Sequence, residues 1–230
     1  MKQIALTFTF LSSFILLSCV KDINQQKKKV VPPSYESIDL LIKVEDTNTA
    51  LSFNITSITI PKDNIFDEGY YCDFGDSTVD SFRTNIGGDI HHYTSTGDYH
   101  VKFYFKPSSL TNGIMVGNSF ITQVPKTFVT KIENNNFFYL PNLTSIYLAY
   151  NNIESLQTLT LPSTITRLVF NGNKFNQSSV DNLLQAASAI NTTSKGIIRV
   201  DFQRPQVTPS NLGLSYKQMM INKGWIVNTD

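Results

Sequence analysis

The chain has 230 residues, 41% of them hydrophobic and 16% charged, with a formal net charge of +1. That apolar fraction excludes a disordered chain, and the sparse, balanced charge excludes the electrostatic footprint of a nucleic-acid binder. Two cysteines, Cys19 and Cys72, are too few for a disulfide framework.

The first element is an address. Lys2 precedes an apolar run from Ile4 to Leu17, and Ser18 is the small residue of a cleavage site, so residues 1–18 read as a secretory leader. The run is too short to span a hydrocarbon core of roughly 30 Å, and no later stretch is apolar and long enough to do so. The string Leu16, Leu17, Ser18, Cys19 resembles the lipobox of bacterial lipoproteins. That resemblance implies cleavage before Cys19 and fatty acyl chains such as palmitate on its thiol and amine. The membrane partner would then be held through Cys19, each buried CH₂ contributing about 0.8 kcal/mol. The expected location is the bacterial outer membrane, with the choice between cell surface and periplasm left open. Lys21 and Asp22 resemble signals that send lipoproteins to the outer face in some Gram-negative bacteria. Loss of Lys2 with the leader leaves 18 basic and 18 acidic residues.

Residues 19–35 carry Lys27, Lys28, Lys29, Pro32 and Pro33 without a hydrophobic period, which predicts a partly stiffened tether. Fully extended it reaches about 50 Å.

Residues 36–107 read as strands. Ile38 to Val44 is one. In the next, Leu51, Phe53 and Ile55 alternate, and Ile58 and Ile60 resume after a slip that predicts a bulge. Tyr70, Cys72 and Phe74 alternate before a Gly75, Asp76, Ser77 turn. Tyr99, Val101, Phe103 and Phe105 share the inner face of a last strand. Short strands between turn residues predict an antiparallel sandwich. The segment Cys72, Asp73, Phe74, Gly75, Asp76, Ser77 resembles the W-D-F-G-D-G signature of PKD domains. The segment from His92 to Val101 resembles a later stretch of theirs, with Tyr93, Gly97, Tyr99 and Val101 in the matching places. Cys72 stands for the usual Trp and Ser77 for the final Gly. The resemblance implies an immunoglobulin-like spacer or adhesive module with Cys72 in its core.

All three histidines lie here, His91, His92 and His100, near Asp89 and Asp98. Adjacent strand residues point to opposite faces, so His91 and His92 do not serve one metal without a kink. Edge and corner histidines are the favoured reading, and Asp73, Asp76 and Asp80 read as turn-stabilising residues rather than calcium ligands. No metal and no cofactor is expected.

Residues 108–230 carry a repeat. Leu143, Ile146, Leu148, Asn151, Ile153 and Leu156 fit L-x-x-L-x-L-x-x-N-x-L-x-x-L, and Ile165, Leu168, Phe170, Asn173 and Phe175 fit it again, the two asparagines standing 22 positions apart. This resembles the leucine-rich repeat. Fainter copies align at Met115, Asn118, Phe120 and at Ile132, Asn135, Phe137, Leu140. The Met115 to Val124 stretch reads equally as a last sandwich strand. The resemblance implies a short inward-facing strand in each coil and an asparagine whose amide bonds neighbouring main chain. Orphaning those groups costs about 1–3 kcal/mol each.

The end is a cap. A helix opens at Ser178 to Asp181 with a serine N-cap, placing Val180, Leu183, Leu184, Ala187 and Ile190 on one face. Ile198, Val200 and Phe202 alternate as another strand. A second helix from Leu214 to Lys223 stops at Gly224, and Trp225 to Val227 is a terminal strand with Trp225 as core or cap rather than a ligand platform. The expected fold class is therefore mainly β with some α: a PKD-like antiparallel β-sandwich followed by a short, capped leucine-rich-repeat solenoid.

Between the core positions, the strands of such coils project residues from a concave face: Ser145, Tyr147 and Ala149, then Arg167, Val169 and Asn171, then Arg199, Asp201 and Gln203, joined by Lys131 and Glu133 if the fainter copy is a coil. Tyr147, Arg167, Val169, Asn171, Arg199, Asp201 and Gln203 are the candidate binding residues. The repeat region holds neither histidine nor cysteine, and the sandwich has no nucleophile elbow or phosphate loop. A non-enzymatic lipoprotein binding an unidentified protein is the expectation, with glycan binding in a nutrient-uptake complex as the alternative.

Overall fold

A computed structural model describes residues 35–57, 70–82, 89–105, 111–117, 126–191 and 194–230. The leader, Cys19 and its expected lipid lie outside the described residues, as do Asn118 and Ile58 to Ile60. The protein is mainly β with two helices among the described residues. The strands are β1 (Glu36–Val44), β2 (Ala50–Ser57), β3 (Tyr70–Asp73), β4 (Val79–Phe82), β5 (Asp89–His92), β6 (Gly97–Phe105), β7 (Thr111–Val116), β8 (Thr127–Asn135), β9 (Ser145–Tyr147), β10 (Arg167–Val169), β11 (Ile197–Arg199) and β12 (Ile226–Asn228). The helices are α1 (Gln177–Ser188) and α2 (Asn211–Asn222). None is long and apolar enough to cross a membrane.

Alternation sets the first half. Strands β4, β3, β6, β1 and β8 form one antiparallel sheet in that order. Ile38, Leu40, Ile42 and Val44 point inward from β1, as do Val101, Phe103 and Phe105 from β6. They meet Leu51, Phe53 and Ile55 of β2 in the facing sheet, where Phe53 packs 5.5 Å from Phe103 and 5.7 Å from Phe74. The slip expected in the second strand is a register shift between Thr56 and Ser57 against β7.

The facing sheet has seven strands among the described residues, in the order β12-β11-β10-β9-β7-β2-β5. Strand β7 pairs antiparallel with β2 on one side and parallel with β9 on the other. From there to β12 every pairing is parallel. One sheet thus begins as sandwich and ends as a parallel stack, and a single hydrophobic cluster runs beneath both parts. The fainter copy at Ile132 does not form a coil, and Asn118 and Phe120 of the copy at Met115 lie outside the described residues. Strand β8 carries Ile132 and Asn135 into the opposite, antiparallel sheet beside β1. In β7, Ile114 and Val116 face inward, with Met115 between them facing out.

Three buried side-chain amides hold the parallel strands. Asn151 Nδ2 donates to Val116 O (3.1 Å) and Ala149 O (3.2 Å), and its Oδ1 accepts from Val129 N–H (2.8 Å). Asn173 Nδ2 donates to Leu148 O (2.8 Å) and Phe170 O (2.9 Å), and its Oδ1 accepts from Ile153 N–H (3.1 Å). Gln203 repeats the pattern with Phe170 O, Val200 O and Phe175 N–H. Asn173 and Gln203 therefore each join their own coil to the one before, and Asn151 ties the first coil to β7 and β8. The residue ahead of each amide has a left-handed backbone: Tyr150 (φ 53°), Gly172 (φ 70°) and Phe202 (φ 57°). At Gly172 only glycine fits, because a β carbon there would stand 2.5 Å from the Tyr150 ring.

The helices close the far side. The N-cap of α1 is Asn176, not a serine: its side chain accepts from Ser179 N–H at 2.9 Å, while Ser179 Oγ accepts from Leu156 N–H. Asp181 of α1 accepts from the N–H of Ser210, the N-cap of α2. Alternation after β11 ends at Val200, and the left-handed turn throws Phe202 outward at 62% exposure. Trp225 and Val227 are buried, and β12 forms the edge of the sheet.

Candidate functional site

In-register parallel pairing stacks equivalent side chains at equal height. One row across the sheet is Gly113, Ser145, Arg167, Ile197 and Ile226, and the next is Met115, Tyr147, Val169, Arg199 and Asn228. Between these rows Ile114, Ile146, Leu168, Ile198 and Val227 point into the core. The two rows make the outer face.

That face contains two adjoining hollows. The first, of about 370 Å³, is lined by Met115, Tyr147, Tyr150, Arg167, Val169, Asn171, Ile197 and Arg199. The second, of about 470 Å³, is lined by Ser145, Thr166, Arg167, Lys195, Gly196, Ile197, Gly224 and Ile226. Arg167 Nη1 donates to the Tyr147 hydroxyl at 2.6 Å, and the guanidinium carbon lies 5.9 Å from the ring centroid. Arg199 Nη2 donates to Asp201 Oδ2 at 3.2 Å. Three buried atoms beside the first hollow have no hydrogen-bond partner: Asn171 Oδ1, Asp201 Oδ1 and Arg199 Nε.

Five candidate residues thus line one hollow: Tyr147, Arg167, Val169, Asn171 and Arg199. Asp201 joins them through Arg199. Ala149, Asn171 and Gln203 do not project from the face as expected. Asn171 is only 2% exposed, and Gln203, 4% exposed, spends its amide on the interior ladder. For Gln203 the cause is a register two residues too late in the last coil, whose outward positions are Ile197, Arg199 and Asp201, while Ala149 and Asn171 lie at the turn after their strands and are buried there. Lys131 and Glu133 lie on β8 in the other sheet. Met115, Tyr150, Lys195 and Ile197 were missed. Ile197 and Met115 were signalled only by the offset from the core residues beside them.

The sandwich groups have structural partners. The His91 ring stacks on Phe74 at 3.8 Å, and its Nε2 lies 2.8 Å from Asp76 Oδ2. His92 is exposed on the opposite side of the strand. His100 Nδ1 lies 2.7 Å from Glu133 Oε2. No group of three potential metal ligands occurs among the described residues. Asp73 Oδ1 accepts from Gly75 N–H and Asp76 Oδ1 from Thr78 N–H, closing the turn. Burial alone would raise the Asp76 carboxyl, but hydrogen bonds from Thr78 and His91 outweigh it and hold it below the ordinary range. Cys72 is fully buried, and burial, followed by Asp73, Asp76 and Asp80, pushes its thiol well up. That disfavours the reactive thiolate.

Comparison with known protein families, curated proteins and solved structures returned no match.

Proposed function

We propose that the protein is a non-catalytic cell-envelope lipoprotein, anchored to the outer membrane through lipid on Cys19, that binds another protein on the outer face of its parallel sheet. In this reading the first half is a PKD-like spacer and the second a short leucine-rich-repeat unit with a helical cap. The observation that carries it is the convergence of Tyr147, Arg167, Val169 and Arg199 on one hollow above a ladder of buried amides. The ladder fixes the height and spacing of those side chains, which lowers the entropy lost on binding. Aromatic and arginine side chains around an aliphatic floor match the composition of protein-binding hot spots.

Two tyrosines in one hollow, Tyr147 and Tyr150, support the glycan reading. A guanidinium already lies near the Tyr147 ring, where it competes with a stacking sugar, so protein is favoured.

The test is Tyr147→Ala with Arg167→Ala, assayed by photo-crosslinking on intact cells and by a glycan array. The double variant is expected to fold and to lose its protein partner. A folded double variant that keeps full binding removes this face from consideration. Cys19→Ser should move the protein from the membrane to the soluble fraction, and a native amino-terminal peptide without acyl groups contradicts the anchor.

A further inference from the structure

Four cations on the described surface are matched by carboxylates: Lys102 with Asp39, Lys126 with Glu45, Lys131 with Glu133 and Arg199 with Asp201. Among the cations without a carboxylate partner, Arg167 and Lys195 stand together at one hollow. Arg167 gives one nitrogen to a neutral phenol, and Lys195 has no carboxylate partner among the described residues. Both line the same hollow, whose apolar wall is Ile197 and the exposed Ile226. The stem of Lys195 runs beside Gly224, 3.4 Å from where a β carbon would stand. Two cations flanking an aliphatic surface without a counter-charge favour an incoming carboxylate, which accepts charge-assisted hydrogen bonds from both while its apolar neighbour covers the wall.

A second observation points beyond a simple anion. In the adjoining hollow Asn171 is almost fully buried with its Oδ1 unpartnered, and Arg199 Nε and Asp201 Oδ1 on the neighbouring coil are likewise buried without a partner. An unpartnered donor near two unpartnered acceptors matches a group that offers both, as a peptide unit does once those side chains turn toward it.

We propose that this face binds an extended acidic peptide segment. A Glu or Asp carboxylate lies between Arg167 and Lys195, an aliphatic neighbour covers Ile197 and Val169, and the segment's main chain passes over Asn171 and Arg199. The inference rests on the reading of this face as a protein-binding surface and names the chemistry it selects.

The test uses the full-length chain in detergent with fluorescein-labelled octapeptides of alternating Val and Glu, or Val and Gln, and an oligogalacturonate of equal charge. The Val/Glu peptide is expected to bind about tenfold more tightly than the Val/Gln peptide at low salt, the difference shrinking as salt rises. Arg167→Gln with Lys195→Gln should make the two peptides equal while leaving the melting temperature unchanged. Arg167→Lys with Lys195→Arg should keep the preference. Equal binding of both peptides by the native chain, or a preference that survives in the Gln double variant, overturns the inference. If both peptides bind equally and Val169→Asp abolishes both, the carboxylate assignment fails while the protein-binding reading stands. Binding of oligogalacturonate alone overturns the peptide assignment, and absence of binding by every probe up to about 1 mM overturns the inference as a whole. Failure of the protein-binding reading is seen separately, in the crosslinking of the Tyr147→Ala, Arg167→Ala variant.

Discussion

The two halves of the molecule bury their main chain in different ways. In the antiparallel half, long strands satisfy one another, and the space between the sheets is filled by rings: Phe53, Tyr70, Phe74, Phe103 and Phe105. In the parallel half the strands are three residues long, and the chain between them satisfies its polar groups through Asn151, Asn173 and Gln203. The first half depends on apolar volume and the second on correctly placed polar atoms. The same kind of substitution should therefore have unequal consequences in the two halves.

The largest loss is expected from emptying the sandwich. Phe103→Ala removes a ring packed against Phe53 and Tyr70 and should cost about 3–5 kcal/mol in chemical denaturation. Next comes Asn173→Leu, which keeps volume but orphans Ile153 N–H, Leu148 O and Phe170 O. It should cost about 3 kcal/mol, whereas Cys72→Val, also an apolar replacement but at a site without polar partners, should cost less than about 1.5 kcal/mol. A polar-to-apolar change tolerated at Asn173 would erase the contrast between the halves. Gly172→Ala combines a left-handed backbone with a clash against Tyr150 and should cost about 2 kcal/mol, read from the denaturation midpoint.

The smallest effect is one of pH. Because the Asp76 carboxyl is held low in the folded state, the unfolded chain binds the proton more readily. Its contribution is present above the ordinary carboxyl range, about pH 4, and is lost as the pH falls through the lower folded value. Asp76→Asn should flatten the acid side of the stability profile. An unchanged acid limb would remove Asp76 from that role.

The contrast also explains what the sequence made legible. Core-facing strand positions must be apolar in every coil, so Ile146, Leu148, Leu168 and Phe170 announce themselves, and Asn151 and Asn173 mark the bends. Gln203 does the same work with one more methylene, which a search for asparagine misses. The alternation of Ile198, Val200 and Phe202 then suggests that the strand runs on past its true end. The Tyr150 and Phe202 turns were not legible because neither residue type favours the left-handed backbone they adopt. Fusion of the two halves through β7 was hidden for another reason. The chain leaves β7 for the opposite sheet before returning to β9, and no period survives that detour.

The residues of the proposed binding face were half visible: Tyr147 and Arg167 follow from alternation, but Lys195 sits just ahead of β11, where no strand period applies.

Native-state hydrogen exchange at the amides of Val129, Ile153 and Phe175 tests the central claim most directly, since each donates to one of the three ladder side chains. The account predicts that all three exchange only through global unfolding, as slowly as the amides of β6 in the sandwich. Exchange of Ile153 and Phe175 by local opening, at rates typical of surface loops, would contradict it.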